Sequence, residues 1–171
     1  MKINLLAFVT GLAILTTIAC NQASQPTIKD IYPKQLNLLQ HGIPVSIQTP
    51  ENAKVTNRSD KFLQDVIVEG DRFYVQVYGQ TATSSSCNTL ATEARTELKT
   101  TEPTFQKFIL EEDCGHIYEV QAPGDTTKCY NFFYYVVKGS KSFSFTTTTA
   151  RRKPFTKQEV ENMYTTVKEH L

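Results

Sequence analysis

The sequence predicts an α+β fold, a mostly antiparallel β-sheet covered by helices in an α/β/α sandwich, behind an N-terminal signal peptide. Three observations carry the expectation. Two runs of strand character flank the turn residues Glu69-Gly70-Asp71-Arg72, the pattern of a β-hairpin. The run Tyr130-Asn131-Phe132-Phe133-Tyr134-Tyr135-Val136-Val137 is aromatic on both faces, which marks a strand covered from two sides. Thr156-Lys157-Gln158-Glu159 is a capping box that opens an amphipathic helix.

The elements follow in order. Lys2 supplies a positive start, and the apolar run over residues 5–18 stops at Ala19-Cys20, short of the about 20 apolar residues a membrane-spanning helix needs. It reads as the core of a cleavable export signal. Cys20 directly after a small residue resembles the lipobox of bacterial lipoproteins, with Thr17 where most lipoboxes have Leu. The resemblance implies acylation of Cys20 with diacylglycerol and a fatty acid such as palmitate, and retention at a membrane of the cell envelope. The domain then lies outside the cytoplasm, in the periplasm or beyond; Asn21 in place of Asp after the acylated residue favours the outer membrane. Plain secretion with a free Cys20 is the alternative. This divides the chain into a lipoprotein signal peptide (1–19), a lipidated Cys with a flexible tether (20–30) and a single α+β domain (31–171). The tether is expected because residues 21–30 are rich in Gln, Ser, Pro and Thr, too polar to fold.

Within the domain, residues 32–42 are expected as a short helix, with Pro33 in an early turn and Gly42 as its stop. Ile43, Val45 and Ile47 alternate with Pro44, Ser46 and Gln48, as in a strand with one buried face. Strands are expected over 62–69 and 73–78, the second central because both its faces are apolar or aromatic. A Ser/Thr-rich loop at 81–86 leads into a helix over 89–101, with a stripe of Leu90, Ala94 and Leu98 and with Arg95, Glu97 and Lys99 in water. Further strands are expected over 105–111, 116–121, 128–138 and 143–149, the second and third joined through Ala122-Pro123-Gly124-Asp125. In the closing helix Val160, Met163, Tyr164, Val167 and Leu171 share one face, with Phe155 and Val160 placed as a hydrophobic staple.

This order of elements, from Pro44-Val45-Ser46-Ile47-Gln48-Thr49-Pro50-Glu51 through hairpin, helix and the strands at 130–137 and 143–149 to the closing helix, resembles the PsbP/Mog1-like α/β/α domains over roughly residues 43–171. Thr49-Pro50-Glu51-Asn52 stands where many members carry Pro-x-Gly-Trp, and the chain has no Trp. The resemblance implies an accessory or binding protein without enzymatic activity.

Charge and motifs narrow the classes. The chain has 18 basic and 17 acidic residues, and loss of Lys2 leaves the remainder formally neutral, which supplies no field for nucleic acid. Nucleophile elbows, zinc-protease helices, phosphate loops and Cys-x-x-Cys pairs are absent from the sequence, so no catalytic residue, metal site or cofactor is expected. Of the histidines, His41 falls near a helix end and His170 near the C-terminus, neither with a local acidic or nucleophilic partner. The one local constellation is Asp113-Cys114-Gly115-His116, with Cys129 a hairpin away, which would suit a thiol- or metal-dependent enzyme only if the groups converge. Two of Cys87, Cys114 and Cys129 can form one disulfide in an oxidising compartment. Arg151-Arg152-Lys153 is the single basic cluster and reads as a solvated turn or, alternatively, as a contact for anionic lipid near the tether. The expected function is therefore a membrane-anchored lipoprotein whose domain binds or assists an envelope protein. A small-ligand carrier with an aromatic pocket at Tyr74, Tyr78, Phe132 and Tyr134 is the alternative.

Overall fold

A computed structural model describes residues 26–148 and 153–169. The expected export signal, Cys20, Arg151, Arg152, His170 and Leu171 lie outside the described residues. The first element is one helical turn, α1 (Ile28–Ile31), in which the Asp30 carboxylate accepts the Thr27 N–H at 2.8 Å. The polar tether expected through residue 30 thus ends sooner, because Ile28 is already buried.

Strand β1 (Lys34–Asn37) and strand β2 (Ser46–Thr49) form an antiparallel ribbon with Leu36 opposite Ile47. This corrects the helix expected over 32–42. Lys34-Gln35-Leu36-Asn37-Leu38 alternates with period two, and pairing with β2 satisfies its backbone groups, so ladder formation outcompetes a helix lacking a continuous apolar stripe. Gly42 does act as a stop, at φ 77° after a 3-10 turn over Leu39–His41. Ile43, Val45 and Ile47 are buried as their alternation predicts.

The main sheet has seven strands: β3 (Lys54–Asn57), β4 (Gln64–Gly70), β5 (Phe73–Thr81), β6 (Phe105–Glu112), β7 (Gly115–Val120), β8 (Cys129–Lys138) and β9 (Lys141–Thr146). Their order is β3-β4-β5-β9-β8-β7-β6, and every neighbouring pair is antiparallel. Strand β3 has no signature in the sequence, since Val55 is its one apolar residue; it exists because its ladder with β4 pairs Val55 with Val68. The expected hairpin is β4–β5, with Arg72 at φ 47° in its turn.

Helix α2 (Cys87–Thr101) and helix α3 (Lys157–Lys168) cover opposite faces of the sheet. Adjacent residues of β8 show this directly. Phe132 and Tyr134 meet the Tyr164 ring of α3 edge-on, at 5.8 and 5.4 Å, whereas Phe133 and Tyr135 border a groove with Ala94 and Leu98 of α2. The main core lies on the α3 side, where Val66, Val75, Val77, Phe143 and Phe145 are fully or almost fully enclosed. The β1–β2 ribbon lies beside α3: the Thr166 hydroxyl donates to the Gln48 carbonyl at 2.7 Å and accepts the Gln48 N–H at 2.6 Å. One further expectation is corrected here. Arg95 is not in water: its guanidinium donates to the carbonyls of Glu112 and Gly115 and tucks against the β6–β7 turn, with Glu111 3.8 Å away.

The strands run between two poles. At one, the β4–β5 turn, the start of β8, the start of α3 and α1 come together: Tyr32 meets Phe73 edge-on at 4.9 Å, and the Arg72 guanidinium lies 5.2 Å from the centre of the Phe155 ring. This is the pole at which the chain joins the domain from its N-terminal side. At the other lie the β8–β9 turn, the start of β4 and the 3-10 turn, linked where Gln64 Nε2 donates to the His41 carbonyl and Lys141 Nζ donates to Gln64 Oε1. Leu39, Phe62 and Leu63, the large apolar side chains left exposed among the described residues, are all near this second pole, and Phe62 is 90% exposed.

Candidate functional site

The Asp113–His116 turn does not assemble a reactive centre. Cys114, in the β6–β7 turn, is bonded to Cys87 at the first turn of α2, with Cα atoms 4.9 Å apart. Its sulfur is therefore neither a nucleophile nor a metal ligand while that bond persists. Asp113 points to solvent and His116 is fully buried, so the two side chains part company. The His116 ring sits among Phe108, Tyr118 and Phe133, with centroids 5.3 to 5.9 Å away, and neither ring nitrogen has a hydrogen-bonding partner among the described residues. Burial, with help from the Arg95 guanidinium, pushes its pKa down to about 4, so the imidazole is neutral at pH 7. Cys129 is a free, half-buried thiol opposite Val120 in the β7–β8 ladder. Among the described residues no group of three or more potential ligands converges on a point.

The four aromatic residues expected to line one pocket are divided by strand register. Val77 pairs with Phe145, which pairs with Tyr134, so Tyr134 and Phe132 face α3. Tyr74 and Tyr78 lie one residue out of phase with Val77 and face the other side. There the Tyr74 hydroxyl donates to Gln76 Oε1 at 3.0 Å, and Gln76 Nε2 donates to Asp65 Oδ1 at 2.7 Å. The shared pocket is therefore corrected to two separate packing environments.

A groove of about 430 Å³ opens at the first pole, beside the start of α3. It is built from the capping box upward. The Thr156 hydroxyl accepts the Glu159 N–H at 3.3 Å, the Glu159 carboxylate accepts the Thr156 N–H at 2.7 Å, and the staple residues Phe155 and Val160 are buried beneath. Arg72 then locks the arrangement, holding Glu159 with a bidentate pair and donating to the Pro154 carbonyl at 2.9 Å. This guanidinium, with the capping hydrogen bonds, brings the Glu159 carboxyl down to about 2. The buried Tyr32 hydroxyl nearby goes the other way, to about 12. Pro154, Phe155 and Tyr130 give the groove an apolar floor, and Lys128, Lys153 and Lys157 stand around it. Lys128 pairs with Glu119 at 3.1 Å and Lys157 with Glu161 at 3.4 Å, while Lys153 has no carboxylate partner among the described residues.

Of these residues the sequence singled out Lys153 through its basic cluster, Phe155 through the staple, Thr156 and Lys157 within the capping box, and Tyr130 only as part of an aromatic strand. Lys128 and Tyr130 are brought beside them by the course of β8, a neighbourhood that no local spacing signals. The capping box was the available pointer, since it placed the beginning of α3 and hence of one wall. Comparison with known proteins finds no matching family model, no similar curated protein and no similar solved structure.

Proposed function

We propose that the chain is a lipid-anchored lipoprotein of the bacterial cell envelope, held at the membrane, preferentially the outer one, through acylated Cys20. Its domain is read as a PsbP/Mog1-like α/β/α sandwich that binds or assists an envelope protein partner without enzymatic activity. The observation that carries the reading is the Cys87–Cys114 disulfide behind an export-signal sequence. Such a bond persists in oxidising compartments and is rare in the cytosol. With one helix on each face of an antiparallel sheet, the fold is compatible with the family likeness. A thiol-dependent activity would need Cys114 Sγ free, and it is joined to Cys87. The carrier reading loses its pocket to strand register.

Intact-mass measurement of protein extracted from its native membrane, with and without reduction before alkylation, tests the proposal. The expected species begins at Cys20, carries a diacylglycerol and a fatty acid, and alkylates once before reduction, at Cys129, and three times after it. A species without lipid, or one with three thiols open to alkylation before reduction, overturns it.

A further inference from the structure

We infer that the groove beside the start of α3 binds the phosphate headgroup of an anionic phospholipid and seats the domain on the bilayer by its first pole. The inference deepens the reading of a lipid-anchored chain and rests on it for the orientation of the domain.

Charge and apolar surface occur together in this groove. Lys128, Lys153 and Lys157 offer three ammonium groups around one opening, while Tyr130, Pro154 and Phe155 offer an apolar floor. A phosphate alone would use the lysines and leave the floor wet; a headgroup followed by its glycerol and first methylenes uses both. Of the carboxylates at the site, Glu159 is held by Arg72, Glu161 pairs with the half-exposed Lys157, and the buried Glu119 pairs with the half-exposed Lys128. The Lys157–Glu161 pair lies at the surface and is weak, which leaves its ammonium protons able to turn to a phosphate, whereas Lys128 keeps its contact with the buried Glu119 carboxylate and offers its remaining N–H donors. Lys153 brings a charge with no competing carboxylate among the described residues.

Position on the molecule agrees with the chemistry. The segment from Cys20 to Thr27 spans at most about 25 Å when fully extended, and it enters the domain at Ile28, at the groove's own pole. The nine residues of β5 separate that pole from the other by about 30 Å. An acyl group on Cys20 therefore draws the groove toward the bilayer and leaves Phe62 and Leu63 at the distal end. The groove and the lipid are two contacts of one anchorage: the acyl chains hold the protein to the membrane, and the groove fixes which way the domain faces.

The inference is tested on a chain beginning at Asn21, which has no site for the lipid. Its buried residues run from Ile28 to Val167, so the described core is complete without the signal segment. Co-sedimentation is measured with phosphatidylcholine vesicles and with vesicles containing phosphatidylglycerol. Binding is expected on the anionic vesicles alone. A lysine near an anionic surface contributes about a fivefold factor in partitioning, so the triple variant Lys128→Gln, Lys153→Gln, Lys157→Gln should bind about a hundredfold less. Thermal melting checks that this variant is folded, and Lys61→Gln with Lys138→Gln at the distal pole should leave binding unchanged. Absence of binding to the anionic vesicles, or equal loss from the distal pair, overturns the inference. So does release of the protein by millimolar inorganic phosphate at constant ionic strength, which would assign the groove to free phosphate. Because acylation of Cys20 is read separately by intact mass, failure of the groove and failure of the anchor are distinguishable.

Discussion

The two faces of the sheet are covered by helices of similar length, but by different means. On the α3 face the helix buries Val160, Met163, Tyr164 and Val167 against Phe132, Tyr134 and the neighbouring valines and phenylalanines, and a capping box and the Arg72–Glu159 pair secure its first turn. On the α2 face the helix buries only Leu90 and Ala91, and its attachment is supplemented by the Cys87–Cys114 disulfide and by Arg95 donating to two carbonyls of the β6–β7 turn. A helix with a broad apolar stripe is held by the water it excludes; one with a thin stripe needs a covalent or hydrogen-bonded attachment. The same contrast extends to the sheet beneath. The α3 side is packed with apolar side chains, whereas the α2 side accommodates an imidazole that has no hydrogen-bond partner among the described residues and the Tyr74–Gln76–Asp65 hydrogen-bond chain.

The largest expected effect is on the closed face. Phe145→Ala empties a fully buried position at the centre of the sheet and should cost about 3–5 kcal/mol in denaturant unfolding. Replacing both Cys87 and Cys114 by Ala should cost about 3–4 kcal/mol, from the entropy of the loop spanning a separation of 27 residues. Hydrogen exchange gives the sharper test: reduction should expose the amides of α2 while those of α3 stay protected, and equal protection in the two helices would refute the contrast between the faces.

His116 supplies a pH signature for the α2 face. Its folded pKa, about 4, lies below the ordinary 6.5, so the unfolded chain binds the proton more readily. Stability from this group is complete above pH 6.5 and is lost as the pH falls toward 4, on the order of 2 kcal/mol by pH 4.5. His116→Leu should remove that slope without destabilising the protein at pH 7, because the imidazole leaves no hydrogen-bond partner behind; an unchanged slope in urea titrations at stepped pH would place the titrating group elsewhere.

Arg72→Ala strips the bidentate partner from Glu159 and should cost about 1–2 kcal/mol. Glu159 titrates at about 2 when folded, against an ordinary 4.5, so its contribution is present above pH 4.5 and declines as the pH falls toward 2. The variant should flatten the acid limb of the stability curve in that window. Smallest of all, Phe62→Ser at a 90% exposed site should alter unfolding free energy by less than about 0.5 kcal/mol. A larger loss would mean that Phe62 packs against something in solution.

Much of this architecture was legible from local chemistry. The capping box and staple placed α3, the turn residues placed the β4–β5 hairpin, and the two-faced aromatic run of β8 announced helices on both sides. Where local signals are weak the fold departs from the expectation. Residues 32–42 have too few apolar positions to separate a period of two from one of 3.6, and β3 is a strand only because β4 lies beside it. For the groove, Lys153 and Phe155 were visible, but Lys128 and Tyr130 lie more than 20 residues away along the chain.

By itself the sequence determined the apolar run over residues 5–18, the position of Cys20 behind it, the α+β class of fold and the beginning of α3, because each depends on residues within a few positions of one another. Tertiary structure alone decided that Cys87 pairs with Cys114, that His116 is buried away from Asp113, and that Tyr74 and Tyr78 face away from Phe132 and Tyr134. It also decided that Arg72 would hold the carboxylate of a capping box 87 positions further along. Those outcomes turn on strand order and on one-residue phase within a ladder, and a shift of one residue moves every side chain of a strand to the opposite face.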